Sequence, residues 1–351
     1  MKEYLSASTK PIIICGPCSA ESYSQMQVCA NDVAKAGVGW FRAGIWKPRT
    51  RPNSFEGIGE EGLLWLKEIK EQFPLKVCTE VASPYHLELC LKYGIDAIWI
   101  GARTCANPFS VQEIANSLQG IKDISVLVKN PPIPNVSTWL GSLERIEKAG
   151  CEDLIAIHRG FELGNNGIYR QSPDWRIPLE LKRLRKDLKI ICDPSHIAGK
   201  RELVKEISQC ALSIGFDGLM IETHPNPPQA QTDKSQQLYS STLKDFIAQL
   251  SFPSLLEKKN ESLTLYRQEI NDIDQKLCAL LGERMQMSKK IAKIKLENNM
   301  SVFQLSRWQE VLNNMIQQGK DYELSEDFIK EIYTLIHQES IRVQTRYSKE
   351  K

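Results

Sequence analysis

The sequence predicts an α/β chain: a (β/α)8 barrel followed by an all-α, three-helix unit. Three observations predict it. Eight short apolar runs recur roughly every 20 to 40 residues, and each leads to a polar or charged residue. Stretches of helical character separate the runs, as a parallel α/β fold requires. Near residue 250 this alternation stops and helical periodicity alone continues.

The runs are Ile12-Ile13-Ile14 before Cys18, Trp40-Phe41 before Arg42, Val77-Cys78 before Glu80, and Ala97-Ile98-Trp99-Ile100 before Arg103. Val126-Leu127-Val128 precedes Lys129, and Leu154-Ile155-Ala156-Ile157 precedes His158 and Arg159. Ile190-Ile191 precedes Asp193 and His196, and Gly218-Leu219-Met220-Ile221 precedes Glu222. Continuous rather than alternating apolar runs suit strands covered on both faces. Helices are predicted over 24–36, 60–72, 84–93, 111–118, 137–149, 178–186 and 200–213. An open doubly wound sheet is the rival, but eight units fit the typical barrel of about 250 residues. The barrel is assigned to residues 1–250 and a linker carrying Pro253 and Glu257-Lys258-Lys259-Asn260 to 251–261, with the helical unit over 262–351.

In that unit, Leu263, Tyr266, Ile270, Ile273, Leu277, Leu280, Met287, Ile291 and Ile294 recur at mostly three- and four-residue steps. They predict one helix over 262–297, roughly 50 Å long at 1.5 Å per residue. A second helix is predicted from Phe303 to Gln318, stopping at Gly319, a residue favoured just past a helix end. A third starts after Ser325, a good N-cap with Glu326 and Asp327 in the first turn, and runs to about Thr345.

A net charge of +2, from 45 basic and 43 acidic residues, gives no case for a nucleic-acid partner. No apolar stretch reaches the roughly 18 to 20 residues that a membrane helix needs, and residues 1–10 do not resemble a signal peptide. Ten cysteines at irregular spacings suit free thiols in a reducing cytoplasm rather than a disulfide scaffold.

A closed parallel barrel gathers the C-terminal ends of its strands around one mouth. Cys18, His196, Glu222 and Asp233, from strands one, seven and eight, would offer a thiolate, an imidazole and two carboxylates. That donor set suits a borderline divalent ion such as Mn²⁺, Fe²⁺, Co²⁺ or Zn²⁺. Cys15-Gly16-Pro17-Cys18 also has the spacing of a redox dithiol, but a long series of strand–helix units follows it and favours the metal reading. Arg42, Lys47, Arg49, Arg103, Lys129 and Arg159 would crowd the same mouth. Their mutual repulsion predicts an anionic ligand unless they pair with Glu80, Asp193 or Glu222.

Gly16-Pro17-Cys18-Ser19, Lys47-Pro48-Arg49-Thr50, Gly101-Ala102-Arg103, Asp193-Pro194-Ser195-His196 and Ile221-Glu222-Thr223-His224-Pro225 stand in order over residues 11 to about 248. This stretch resembles 3-deoxy-D-arabino-heptulosonate-7-phosphate (DAHP) synthase, in the subtype closest to 3-deoxy-D-manno-octulosonate-8-phosphate synthase. The Lys-Pro-Arg-Thr segment separates the two, since the octulosonate enzymes carry a Lys-Ala-Asn type there. The resemblance implies condensation of phosphoenolpyruvate with erythrose 4-phosphate. It implies Cys18, His196, Glu222 and Asp233 on the metal, and Arg103 and Arg159 on the phosphoenolpyruvate phosphate. Arg42, Lys47 and Lys129 would face its carboxylate and reacting carbon, Arg49 and Thr50 would hold the aldose phosphate, and Glu80 would position water. Relatives carry a regulatory domain before the barrel; with only about ten residues ahead of the first run, none is expected here.

Arg267, Arg284, Lys295 and Arg307 lie on or beside the apolar stripe of the helical unit. Burying unpaired cations is costly, which predicts a dianionic ligand. Arg267 and Lys295 are about 42 Å apart along one straight helix, so a shared site predicts a homodimer with antiparallel long helices. Arg267-Gln268-Glu269-Ile270, Gly282-Glu283-Arg284, Lys293-Ile294-Lys295 and Arg307 resemble the all-helical chorismate mutases over 262–346, with Gln344 at that family's glutamine or glutamate position. The resemblance implies rearrangement of chorismate to prephenate. Arg267 of a second copy, Arg284 and Arg307 would hold carboxylates, and Lys295 and Gln344 the ether oxygen. Gln304 and Trp308 depart from the family, where acidic residues are common. Two alternatives remain at this point: a non-catalytic, dimerising tail that binds prephenate or chorismate and regulates the barrel, or a barrel that takes another aldose. Fusion of the two units predicts feedback coupling between them, with prephenate as its ligand.

Overall fold

The eight apolar runs form eight strands: β1 (Ile12–Gly16), β2 (Trp40–Arg42), β3 (Lys76–Val81), β4 (Ala97–Ile100), β5 (Ser125–Lys129), β6 (Leu154–His158), β7 (Lys189–Cys192) and β8 (Gly218–His224). Each pairs in parallel with the next, and β8 returns to β1, with Ile12–Gly16 against Gly218–Glu222, so the sheet is a closed barrel. A two-residue strand, β9 (Leu238–Tyr239), runs beside the end of β8. The computed structural model describes residues 5–7, 10–47, 54–162, 167–253 and 260–349. The chain divides into two compact units, Met1–Leu255 and Leu256–Lys351.

Strand residues point alternately in and out. Ile12, Ile14, Cys78, Ala97, Trp99, Leu127, Ile155, Ile157, Ile191 and Met220 point inward and fill the barrel. The outward set joins the helices in a larger core that includes Phe41, Val77, Ile98, Val126, Ala156, Ile190 and Leu219. Leu5 is buried against the inner cluster. Asp153, just ahead of β6, accepts the Leu5 and Ser6 amides at 2.7 Å each and the Ser125 hydroxyl. Helices cover the outside, and side chains cap their first turns. Ser22 accepts Gln25 N, Ser83 accepts His86 N ahead of Pro84, and Asn135 accepts Thr138 N. Three short helices escaped the sequence reading: Ala102–Cys105, Pro194–Ala198 and Leu243–Ala248. Their four to six residues are too few to show a 3.6-residue period.

In the second unit a 37-residue helix, Glu261–Glu297, packs against Glu326–Lys349, which also packs against Leu305–Asp321. Gly319 does not end the second helix, contrary to the sequence reading. It lies buried inside it, where an added Cβ would meet Ile329 Cγ1 at 2.8 Å. This glycine serves close helix packing. The left-handed residue past the helix end is Glu323, at φ 56°. Tyr266, Ile270, Ile273, Leu277, Leu280 and Ile294 of the long helix are each more than half exposed in the single chain. Among the described residues no helix is long and apolar enough to cross a membrane.

Two stability predictions follow from the barrel. An added Cβ at Gly218 would lie 1.9 Å from the Ile12 carbonyl oxygen, at the seam that closes the sheet. Gly218→Ala should therefore lower stability by about 3 kcal/mol, as overpacking does; an unchanged urea midpoint would contradict this. His158 is fully buried beside Trp139, Phe161, Trp175 and Phe216, and burial pushes its pKa down to about 3. The unfolded imidazole titrates near 6.5. Stability should therefore be full above pH 6.5 and fall as pH drops toward 3, by up to about 1.4 kcal/mol per pH unit from this group. Between pH 7 and 4.5 the barrel's urea midpoint should fall less in His158→Phe than in the natural chain; equal falls would refute the assignment.

Candidate active sites

Chain closure brings β1 next to β8, and with them the donors expected at the mouth. One ligand atom each from Cys18, Glu222 and Asp233 lies within 4.8 Å of the others. Cys18 Sγ is 3.2 Å from Asp233 Oδ2. His196 stands beside this trio: its Nδ1 is 3.8 Å from Glu222 Oε1 and 2.9 Å from Asp193 Oδ2. Asp193 caps the short helix Pro194–Ala198 by accepting His196 N at 3.2 Å, which fixes the imidazole at the rim. Asp233 has φ 47°, a left-handed backbone that aspartate tolerates and that recurs at functional sites.

The electrostatics suit a cation. Burial, with Glu222 next, pushes the Cys18 thiol far above its ordinary range, and Lys47 opposes it. Burial works against the Asp233 carboxylate too, but His196, Arg170 and Lys47 outweigh it and hold its pKa well below the usual range. Glu222 is lowered likewise, against burial, by His196 and Arg42. Burial keeps the His196 pKa low despite Asp193, so the ring favours the neutral form that binds metal. One thiol and two carboxylates converging in a buried site, with a neutral imidazole adjoining, fit a borderline divalent ion.

The cations divide into two groups. Arg42 is buried and committed to carboxylates: Nη2 is 3.2 Å from Glu222 Oε1 and Nη1 4.0 Å from Asp193 Oδ2. Its Nε and Nη1 still lack a hydrogen-bond partner. Lys129 Nζ meets Asp193 Oδ2 at 2.8 Å. Lys47 Nζ donates to the Cys18 carbonyl at 3.0 Å and lies as close to its Sγ. Lys47, Glu80, Arg103, Lys129, Arg159, His196 and Asp233 line one cavity of about 330 Å³. Arg103 is exposed, while Arg159 is buried with Nη1 unpartnered. Trp99 supports the floor: its Nε1 donates to Glu80 Oε2 at 3.0 Å, and Arg42 and Lys129 lie 4.7 and 5.8 Å from its ring centre. Arg49 and Thr50 lie outside the described residues.

Several members of this web escaped the sequence reading. Arg170 Nη1 donates to Asp233 Oδ1 and to Gln236 Oε1, both at 2.8 Å. Gln236 Nε2 donates to Glu222 Oε2 at 2.6 Å, and Gln237 Oε1 accepts Cys18 N at 3.0 Å. Ser195 Oγ accepts Glu222 N at 3.0 Å. Asp193 and Glu222 do pair with cations of the mouth, as the sequence allowed; the two glutamines and Arg170 carry no local signal.

In the helical unit, Arg284 Nη1 donates to Ser340 Oγ, and Lys295 Nζ donates to the Val302 carbonyl at 2.6 Å. Burial lowers the Lys295 pKa. Gln344 is buried on the same helix as Ser340, one turn on. Arg307 is exposed and pairs with Glu310 at 2.8 Å, one turn along its own helix. Its neighbour Trp308 stacks on His337 at 4.2 Å. Arg267 is exposed on the long helix.

Comparison with known proteins matches these two units separately. The DAHP synthetase I family matches residues 5–252, and chorismate mutase type II matches residues 266–345. Phospho-2-dehydro-3-deoxyheptonate aldolase of Thermotoga maritima is 32% identical over 240 residues, 68% of each chain. A crystal structure of that Thermotoga maritima aldolase (DAHP synthase) superposes with a TM-score of 0.62 at 31% identity, again covering 68% of each chain. 2-Dehydro-3-deoxyphosphooctonate aldolase of Haemophilus influenzae is 29% identical over 276 residues, 71% of this chain and 94% of that one. The chain thus belongs to the DAHP synthetase I family through its barrel, and joins to that DAHP synthase domain a helical chorismate mutase domain.

Proposed function

We propose that the barrel condenses phosphoenolpyruvate with erythrose 4-phosphate to DAHP and phosphate, and that the helical unit rearranges chorismate to prephenate. The observation that carries the first reaction is the Cys18–Glu222–Asp233 cluster beside a cavity lined by Lys47, Arg103, Lys129 and Arg159. Cys18, His196, Glu222 and Asp233 would hold a divalent ion, which would supply Lewis-acid polarisation of the aldehyde oxygen.

The remaining roles belong to this chain's residues. Arg103 and Arg159 take the phosphate of phosphoenolpyruvate, for which the unpartnered Arg159 Nη1 is suited. Lys129 and the free Nε and Nη1 of Arg42 face its carboxylate. Lys47 stands beside the cluster, where the aldehyde oxygen gains charge as the enol carbon attacks. Glu80, held by Trp99, positions the water that adds to the resulting cationic carbon before phosphate leaves. Arg49 and Thr50 hold the aldose phosphate. Their Lys-Pro-Arg-Thr segment favours erythrose 4-phosphate over the longer aldose of the octulosonate enzymes.

In the helical unit Arg284 holds a carboxylate, and Lys295 and Gln344 stabilise the ether oxygen as it gains charge. Arg267 comes from a second copy, because the apolar stripe left exposed on the long helix is suited to antiparallel pairing. Free cysteines throughout suit a cytoplasmic enzyme. One observation favours a second reading, a tail that binds prephenate without turnover: Arg307 is paired with Glu310 and Trp308 stands beside it.

The two chemistries should separate under chelation. EDTA should abolish condensation and leave chorismate turnover intact. Asp233→Asn should cut condensation by at least about a hundredfold, as loss of a metal ligand or its support does, without slowing chorismate consumption. Loss of both activities with EDTA would contradict two independent sites, and absence of chorismate turnover in the untreated chain would leave the binding module. Coupling predicts that prephenate lowers condensation by the full chain but not by residues 1–250; equal inhibition of both would refute it.

A further inference from the structure

The helical unit contains a buried polar atom that the proposed chemistry does not use. His337 lies on Glu326–Lys349, one turn before Ser340. Its ring stacks on Trp308 at 4.2 Å and 13°, with Phe303 at 5.9 Å. Its Nε2 is shielded from solvent and has no hydrogen-bond partner. A buried ring nitrogen left unmatched is destabilising and marks a site that a ligand atom can complete.

We propose that His337 is the specificity-determining residue that contacts the hydroxyl of a cyclic hydroxy-dicarboxylate bound beside Arg284 and Lys295, with Trp308 fixing the ring plane. This rests on the reading of the helical unit as a chorismate site. The charged groups facing the imidazole are Arg284 and Lys295 of the long helix. Leu305–Asp321 and the segment before it contribute the aromatic Trp308 and Phe303, and on its own helix Ser340 is engaged by Arg284. Burial, then Arg284 and Lys295, keep the imidazole pKa low. A neutral imidazole can accept from a hydroxyl or donate to it, according to tautomer, whereas Arg284 selects a carboxylate and Lys295 the ether oxygen. Trp308 offers only an indole N–H, so the atom of this stacked pair that can accept from a hydroxyl is the unpartnered ring nitrogen of His337.

The test uses the full chain. Prephenate is titrated into protein labelled with nitrogen-15 in its five histidines, and the His337 signal is assigned by its absence in His337→Gln. The Nε2 resonance should move on saturation. His337→Leu should raise KM for chorismate and Kd for prephenate about tenfold, the scale of one buried hydrogen bond, with kcat within threefold. His337→Gln, which keeps an amide in place, should recover most of the loss. A dicarboxylate analogue lacking the hydroxyl should bind the natural chain and His337→Leu equally. An unmoved His337 resonance in a chain that binds prephenate would overturn the proposal, as would equal loss of the hydroxyl-free analogue. A chain that binds prephenate but does not turn over chorismate refutes the mutase reading alone, and the resonance still decides His337. A chain that binds neither ligand overturns both.

Discussion

Two carboxylates without solvent exposure, Asp193 and Glu222, set the architecture of the barrel mouth. A buried charge is tolerated only when paired. Glu222 takes Arg42 from β2 and Gln236 from the loop after β8, and Asp193 takes Lys129 from β5. Partners from β2, β5, β7 and β8 can meet only where the sheet curls back on itself. The pairs also use up only part of each cation, since Arg42 retains two donors without partners. Neutralised in this way, the mouth keeps a positive wall along one side of its cavity and a thiol–carboxylate cluster along the other.

The helical unit handles charge by different means. It has no buried ion-pair web among its described residues, and its two inner cations are tied down by neutral groups: Arg284 by a serine hydroxyl, Lys295 by a backbone carbonyl. Neutral partners leave the positive charge uncancelled, which suits a dianion whose charge shifts toward an ether oxygen during reaction. The family matches fall on the two units separately.

The parts legible in the sequence are those written in local pattern. All eight strands stand where apolar runs mark them, because strands buried on both faces need uninterrupted apolar residues. Cys18, Glu222 and Asp233 were legible because strand ends at a barrel mouth converge whatever lies between them. His196 shows the limit of that argument: it reaches the rim, but Asp193 holds its Nδ1 beside the trio. Arg170, Gln236 and Gln237 were not legible, because hydrogen bonds across 14 to 219 positions of sequence leave no trace in spacing. Gly319 misled because one residue type serves two purposes, ending helices and letting them touch. Arg307 pairs with Glu310, three positions on along the same helix, a local contact that the apolar pattern does not announce.

Trp99 joins two tasks. It is one of the largest side chains filling the interior, and its indole also steadies Glu80 and lies under Arg42 and Lys129. Packing of the interior and placement of these mouth side chains are therefore linked in this chain. Any reshaping of the interior that moves the indole also moves the surroundings of Glu80, Arg42 and Lys129.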